Sequence, residues 1–89
     1  MPLDEVIAFL AEHHQRATYG AVAEYLGNQL PPIGLMNGRP RNYLNSWIVN
    51  ADTHEPSGYL PEQIDPHLLE LDNPQVITNG DDLERFLSQ

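Results

Sequence analysis

The sequence centres on Arg16-Ala17-Thr18-Tyr19-Gly20-Ala21-Val22-Ala23-Glu24-Tyr25-Leu26-Gly27, which carries the signals of a short helix marked at both ends. Thr18 is a good N-cap, because its hydroxyl can accept a hydrogen bond from a free N–H of the first turn. Gly27 tolerates positive φ, so the helix can end there. Spacings of three and four predict one apolar face, formed by Tyr19, Val22, Ala23 and Leu26. A capped helix, a glycine turn and a second short helix are typical of a helix-turn-helix unit, although any small amphipathic helix of a bundle fits the same pattern.

Length and composition predict one small domain over residues 1–89. The chain contains no cysteine, which excludes disulfides, thiolate metal sites and cysteine nucleophiles. No apolar run approaches the roughly 18 residues of a membrane span, and the N-terminus is acidic and amphipathic rather than signal-like. We therefore expect a cytoplasmic protein with no membrane partner.

The charge of the chain is strongly negative but unevenly distributed. Thirteen acidic residues and four arginines, with no lysine, give a net charge of −9. That balance argues against general nucleic-acid binding, which needs cations to replace phosphate counterions. The local balance is −3 over residues 1–12, +2 over residues 13–51 and −8 over residues 52–89. Two interpretations remain open: the middle segment orients the protein on a polyanion, or the acids simply keep a small domain soluble.

The first predicted helix covers residues 3–14 and ends in two histidines. Its apolar face consists of Leu3, Val6, Ile7 and Leu10. His13 and His14 lie at its C-terminal end, where a protonated imidazole interacts favourably with the helix dipole. Adjacent helix residues point about 100° apart, so these two side chains do not form a metal-binding pair. We predict no metal site and no cofactor.

The rest of the chain alternates short helices and strands. Pro32 to Met36 can form one helical turn, and a basic, aromatic loop follows over residues 39–43. Residues 46–51 are the best strand candidate, and Tyr59-Leu60 is expected to return as its hairpin partner. Asp65-Pro66 predicts a capped helix over residues 67–71, and residues 76–78 predict a short strand. The last helix is expected to be capped by Asp81 or Asp82, with an apolar face of Leu83, Phe86 and Leu87.

The order of the motifs resembles a known family. The motifs are Thr18-Tyr19-Gly20 with Val22-Ala23, then Ile33-Gly34 with Met36 and Gly38, then Trp47-Ile48-Val49 with Ser57-Gly58-Tyr59, and finally Leu68-Leu69-Glu70, Asn79-Gly80, Leu83 and Phe86. They are collinear over about 70 residues with the DNA-binding domain of alkylguanine-DNA alkyltransferases, and more closely with the small alkyltransferase-like proteins. This resemblance implies an α+β, winged-helix-like domain with a helix-turn-helix core and a β-hairpin wing.

The departures from the family bear on function. The family's active-site motif is Pro-Cys-His-Arg ahead of two valines, and alkyltransferase-like proteins replace the cysteine. When Ile48-Val49 is aligned with those valines, Asn45 takes the position of the nucleophilic cysteine and Ser46 the position of its activating histidine. No catalytic residue is therefore expected. Pro31 or Pro32 stands where the family has an arginine that wedges into the DNA stack, which puts base flipping in doubt.

The resemblance also implies a set of binding residues. Tyr19 matches the tyrosine with which the family flips bases. The implied DNA contacts are Tyr19, Met36, Asn37, Arg39 and Arg41, and the implied base pocket is lined by Asn45, Ser46, Trp47 and Tyr59. Trp47 has two interpretations, because the largest apolar side chain of a small domain is needed in the core but can also form the wall on which a base stacks.

Three functional hypotheses follow. The first is a non-enzymatic DNA-binding domain that binds double-stranded DNA weakly and senses modified bases in repair or defence. The second is an acidic protein-interaction or regulatory module that kept the fold, lost DNA binding and presents its acidic C-terminal half to a basic partner. The third is a domain normally fused to a nuclease or another effector. The charge balance favours the second, whereas Tyr19 and the basic middle segment favour the first.

Overall fold

The computed structural model describes residues 2–27, 40–56, 58–70 and 75–89, and over these residues the protein is α+β. Its helices and strands are α1 (Leu3–His13), β1 (Arg16–Thr18), α2 (Tyr19–Tyr25), β2 (Ile48–Val49), α3 (Pro66–Glu70), β3 (Val76–Ile77) and α4 (Gly80–Leu87). Single 3₁₀ turns cover Asn45–Trp47 and Pro61–Gln63. The helical turn predicted at Pro32 to Met36 lies outside the described residues.

A three-stranded parallel sheet holds the fold together. The strand order is β2-β1-β3, and both pairings are parallel. Ala17 at the centre of β1 lies opposite Ile48 on one side and Ile77 on the other. All three residues of β1 are buried, as expected for the central strand of a parallel sheet. The sequence pattern predicted β3 but missed β1, because three residues are too few to show an alternation.

The predicted β-hairpin is wrong. Ser46 and Trp47 lie in a 3₁₀ turn, so the strand expected over residues 46–51 shrinks to Ile48–Val49. Tyr59 and Leu60 are not part of any strand. β2 pairs with the buried β1 instead of folding back on the chain that follows it, which allows both of its side chains to be fully buried. Winged-helix features are therefore not established over the described residues.

Most of the predicted helix ends are confirmed. The Thr18 hydroxyl accepts a hydrogen bond from the Ala21 N–H at 3.0 Å, and Gly27 has a φ of +94° just after α2. Asp65 caps α3 through its carboxylate, which accepts from the His67 N–H at 3.0 Å. The cap of α4 is a correction: Asn79, not Asp81 or Asp82, accepts from the Asp82 N–H at 2.8 Å. Because α4 begins at Gly80, both aspartates lie inside its first turn, where the dipole favours acids.

The core fills the space between the sheet and the helices. Its buried members are Val6, Ile7, Leu10, Ala17, Val22, Trp47, Ile48, Leu68, Leu83 and Leu87. The predicted apolar faces of the first and last helices supply five of these residues, which confirms the helical pattern for both segments. The described part of the chain has no helix long and apolar enough to cross a membrane.

Candidate functional site

Asn45, which the resemblance aligns with the nucleophile of the alkyltransferases, is a buried structural link. Its Oδ1 accepts hydrogen bonds from the Asn42 N–H at 3.1 Å and from the Tyr59 hydroxyl at 2.5 Å. Its Nδ2 donates to the Pro40 carbonyl at 3.0 Å. The carboxamide therefore ties the chain around residues 40–42 to Tyr59. Because a buried amide must have its hydrogen bonds satisfied, these contacts also explain why the side chain is held in one orientation.

Tyr59 brings together candidates from separate parts of the sequence. The Arg41 guanidinium lies over the Tyr59 ring, with Cζ 5.9 Å from the ring centroid. Burial raises the pKa of Tyr59 to about 12, and the nearby Tyr19 contributes to the rise, while Arg41 opposes it. We refer to Tyr19, Arg41, Asn45 and Tyr59 as the Tyr59 cluster. Two of its members were predicted as DNA contacts and two as pocket residues.

Gly58 fits closely against Arg41. It has a φ of +76°, and a Cβ built on it would lie 3.2 Å from the Arg41 Nη2. Arg41 is otherwise exposed to solvent. The glycine therefore leaves room for the guanidinium to lie over the ring of Tyr59 while remaining accessible to a ligand.

The other two predicted pocket residues face a different part of the fold. The Ser46 hydroxyl donates to the Tyr43 carbonyl at 2.7 Å and accepts from the Asp65 N–H at 3.1 Å. Trp47 is fully buried, and its indole N–H donates to the Asp65 carboxylate at 3.1 Å. Trp47 lies in the 3₁₀ turn before β2, so it is not part of the strand predicted over residues 46–51.

The cationic middle segment is less exposed than its sequence suggests. Arg16 is only 8% exposed, and its guanidinium donates to the carbonyls of Leu68 at 3.0 Å and His54 at 3.5 Å. Within the described residues its Nε has no hydrogen-bond partner. Arg16 is thus a structural cation that holds two chain segments to the sheet. Met36, Asn37 and Arg39 lie outside the described residues.

Pattern analysis missed a group of residues near Trp47. His14, Asp65 and His67 meet there, although the positions of the first two differ by 51. Burial on its own raises the pKa of Asp65, but hydrogen bonds donated by His67 and Trp47 outweigh it and hold the pKa below its usual value. The only local signal was the Asp65-Pro66-His67 cap, which does not indicate that His14 is nearby.

Comparison with known proteins produced no match: no family model fits the chain, and no curated protein or solved structure is significantly similar to it.

Proposed function

We propose that the chain is a non-enzymatic DNA-binding domain, related to the alkyltransferase-like proteins, that senses a modified base in a duplex. The observation that carries the proposal is the Tyr59 cluster. In it, Arg41 lies over the Tyr59 ring beside the buried amide of Asn45, and Tyr19 is near enough to raise the pKa of the Tyr59 phenol. These residues come from three separate stretches of the sequence, and their convergence supports the idea that they act together.

Members of the Tyr59 cluster have the chemistry that a damaged duplex requires. An exposed guanidinium such as that of Arg41 can replace a counterion at a phosphate. The half-buried rings of Tyr19 and Tyr59 offer aromatic surface to a base, and stacking on such a ring contributes about 1–3 kcal/mol per base. A damaged base also costs less to extrude than a normal one, which favours a sensor of modified bases.

The proposal excludes chemistry at the Asn45 position. A carboxamide is not a nucleophile, and both of its polar atoms are already engaged with neighbouring groups. In this proposal α2 is the first helix of a helix-turn-helix unit. The helical turn predicted at Pro32 to Met36 lies outside the described residues, as do Asn37 and Arg39.

The test is a binding titration followed by fluorescence anisotropy. A labelled duplex with one alkylated guanine is compared with the unmodified duplex at low salt. We expect tighter binding to the modified duplex. Arg41→Glu should weaken that binding at least about tenfold, which corresponds to 1.4 kcal/mol. The matched control is Arg85→Glu, which makes the same charge change on α4 at a side chain that is 80% exposed, and it should weaken binding far less.

Two results would contradict the proposal. Equal losses with Arg41→Glu and Arg85→Glu would mean that only the net charge matters and that the Tyr59 cluster is not the contact surface. Transfer of a labelled alkyl group from the duplex to the protein would show that the domain is an enzyme. Circular dichroism of both variants establishes that any loss of binding is not a loss of fold.

A second candidate is the acidic protein-interaction module, and the burial of Arg16 favours it. With that guanidinium inside the fold, Arg41 and Arg85 are the exposed cations of the described residues. The parent protein would then fail to bind either duplex at low salt. Instead it would bind a basic protein partner, and charge reversal of acids in the C-terminal half, such as Asp81→Lys with Asp82→Lys, would weaken that binding.

A further inference from the structure

Three side chains with metal-binding chemistry converge beside Trp47. The ligand atoms of His14, Asp65 and His67 all lie within 4.8 Å of one another. We refer to these three residues as the His14 cluster. It shares no residue with the Tyr59 cluster, and it contains the one histidine of the His13-His14 pair that follows α1.

Two separate helix ends position these three side chains. His14 ends α1 in the left-handed conformation, with a φ of 50°, and its ring stacks on the Trp47 indole at a centroid distance of 5.2 Å. Asp65 and His67 come from the start of α3. The His67 ring also stacks on the His14 ring, at a centroid distance of 4.4 Å. His14 therefore contacts both an indole and a second imidazole.

Asp65 contacts both of the rings that stack on His14. One carboxylate oxygen lies 2.9 Å from the His67 Nδ1, and the other accepts the Trp47 indole N–H at 3.1 Å. The indole N–H of the buried Trp47 thus orients the Asp65 carboxylate, as outer-shell donors orient the ligands of metal sites. The Asp65 side chain is 13% exposed and that of His67 is 57% exposed, so the carboxylate is held in place while the front of the cluster remains open to solvent.

We propose that the His14 cluster binds a divalent transition-metal ion of the Zn²⁺ or Ni²⁺ type. Two imidazoles and one carboxylate are ligands that such ions prefer over the all-oxygen sets used by Mg²⁺ and Ca²⁺. Two ligands placed about 2.0–2.1 Å from a metal ion lie about 3 Å apart, and the His67 Nδ1 and Asp65 Oδ1 already have that separation. His14 is exposed and one of its ring nitrogens already lies within 4.8 Å of the other two ligand atoms, so a shift of its side chain supplies the third ligand. The net charge of −9 adds a long-range attraction for cations.

Trp47 gives a direct readout, because it is the only tryptophan and contacts His14. NiCl₂ is titrated into the full, untagged chain while tryptophan emission and heat are recorded. We expect saturable binding of one Ni²⁺ per chain with quenching of the Trp47 emission, and a higher melting temperature with ZnCl₂. Losing even an outer-shell partner costs 10–100-fold in metal affinity, so His14→Ala and His67→Ala should each weaken binding at least about tenfold.

His13→Ala is the matched control, since it removes the neighbouring histidine, which packs on Phe9 and Phe86 instead of joining the cluster. It should bind Ni²⁺ with the affinity of the parent protein. Asp65→Asn keeps the shape of the α3 cap and removes the charged ligand, so it provides an independent test if a histidine variant unfolds. The proposal is overturned if the parent shows no saturable binding, or if Asp65→Asn and His14→Ala bind Ni²⁺ as tightly as the parent.

Discussion

At the residue scale, Tyr59 shows how burial and hydrogen bonding act on the same side chain. Its hydroxyl donates to the carboxamide oxygen of Asn45, and ionising the phenol would remove that donor. Burial already disfavours the phenolate, and the positive charge of Arg41 offsets only part of this effect. The phenol is therefore held neutral well above its ordinary range, and the proposed site presents a neutral ring at physiological pH.

The raised pKa of Tyr59 predicts a loss of stability in strong alkali. Between pH 10 and pH 12 the unfolded chain releases the Tyr59 proton while the folded chain keeps it, so unfolding becomes easier as the pH rises. Urea unfolding at pH 8 and pH 11 measures this change. We expect a smaller drop in the free energy of unfolding for Tyr59→Phe than for the parent.

Tyr43 provides the control for the alkaline experiment, because this residue is 60% exposed. Tyr43→Phe should show the same drop in the free energy of unfolding as the parent. An identical drop in the parent and Tyr59→Phe would mean that Tyr59 does not carry the effect.

At the element scale, the packing of α4 on α2 depends on a close approach at Gly80. A Cβ built on Gly80 would lie 2.9 Å from the Tyr25 backbone nitrogen, which cannot move without distorting α2. The Gly80 N–H also donates to the Glu24 carboxylate at 3.0 Å, which joins the two helices at the same point. The Asn79-Gly80 pair therefore serves both as a helix cap and as a packing contact.

Two glycine substitutions are expected to have opposite effects on stability, because Gly80 lies at a close contact and Gly20 does not. Gly80→Ala should lower the free energy of unfolding by about 1–3 kcal/mol, the usual cost of overpacking. Gly20→Ala should raise it by about 0.4–1 kcal/mol, because Gly20 is exposed inside α2 and its nearest neighbour to a new Cβ is 3.9 Å away. Thermal or urea unfolding measures both. If Gly80→Ala has the same free energy of unfolding as the parent, α2 and α4 can move apart at this point without destabilising the fold.

At the scale of the whole molecule, the charge distribution limits the orientations that the proposed complex with DNA would allow. The +2 of residues 13–51 includes Arg16, which is buried and bonded to backbone carbonyls. Arg39 and Arg41 are then the arginines of that segment left to contact phosphates in the proposed complex. The acidic remainder of the chain repels the backbone of the duplex and restricts the orientations in which it can bind.

This charge distribution predicts a weak dependence of DNA binding on salt. Neutralising two phosphates gives a slope of roughly −2 for log K against log salt concentration. Anisotropy titrations of the alkylated duplex at several sodium chloride concentrations measure the slope. A slope steeper than about −4 would require more cationic contacts than these arginines supply, and the proposed orientation would then be wrong.

Local signals in the sequence determined the main helices and most of their ends, although the cap of α4 is Asn79 and not the predicted Asp81 or Asp82. The Thr18 cap joins groups three residues apart, the Asp65 cap joins groups two residues apart, and the turn at Gly27 depends on the backbone of one residue, so composition and spacing are enough to predict them. The apolar faces of α1 and α4 follow from the helical repeat alone. The α+β class was predictable because such helices alternate along the sequence with short apolar runs. The hairpin was not predictable, because it was inferred from two short runs whose pairing depends on the rest of the fold.

Only the tertiary structure decided which strands pair and which side chains meet. Each strand has two or three residues, too few for a pattern, and β1 takes partners about 30 and 60 residues away in the sequence. That pairing buries Arg16, turns Trp47 towards Asp65 and places His14 against His67, whose positions differ by 53 residues. Such contacts arise because burying apolar surface brings distant segments together, and no spacing rule within one segment can anticipate them.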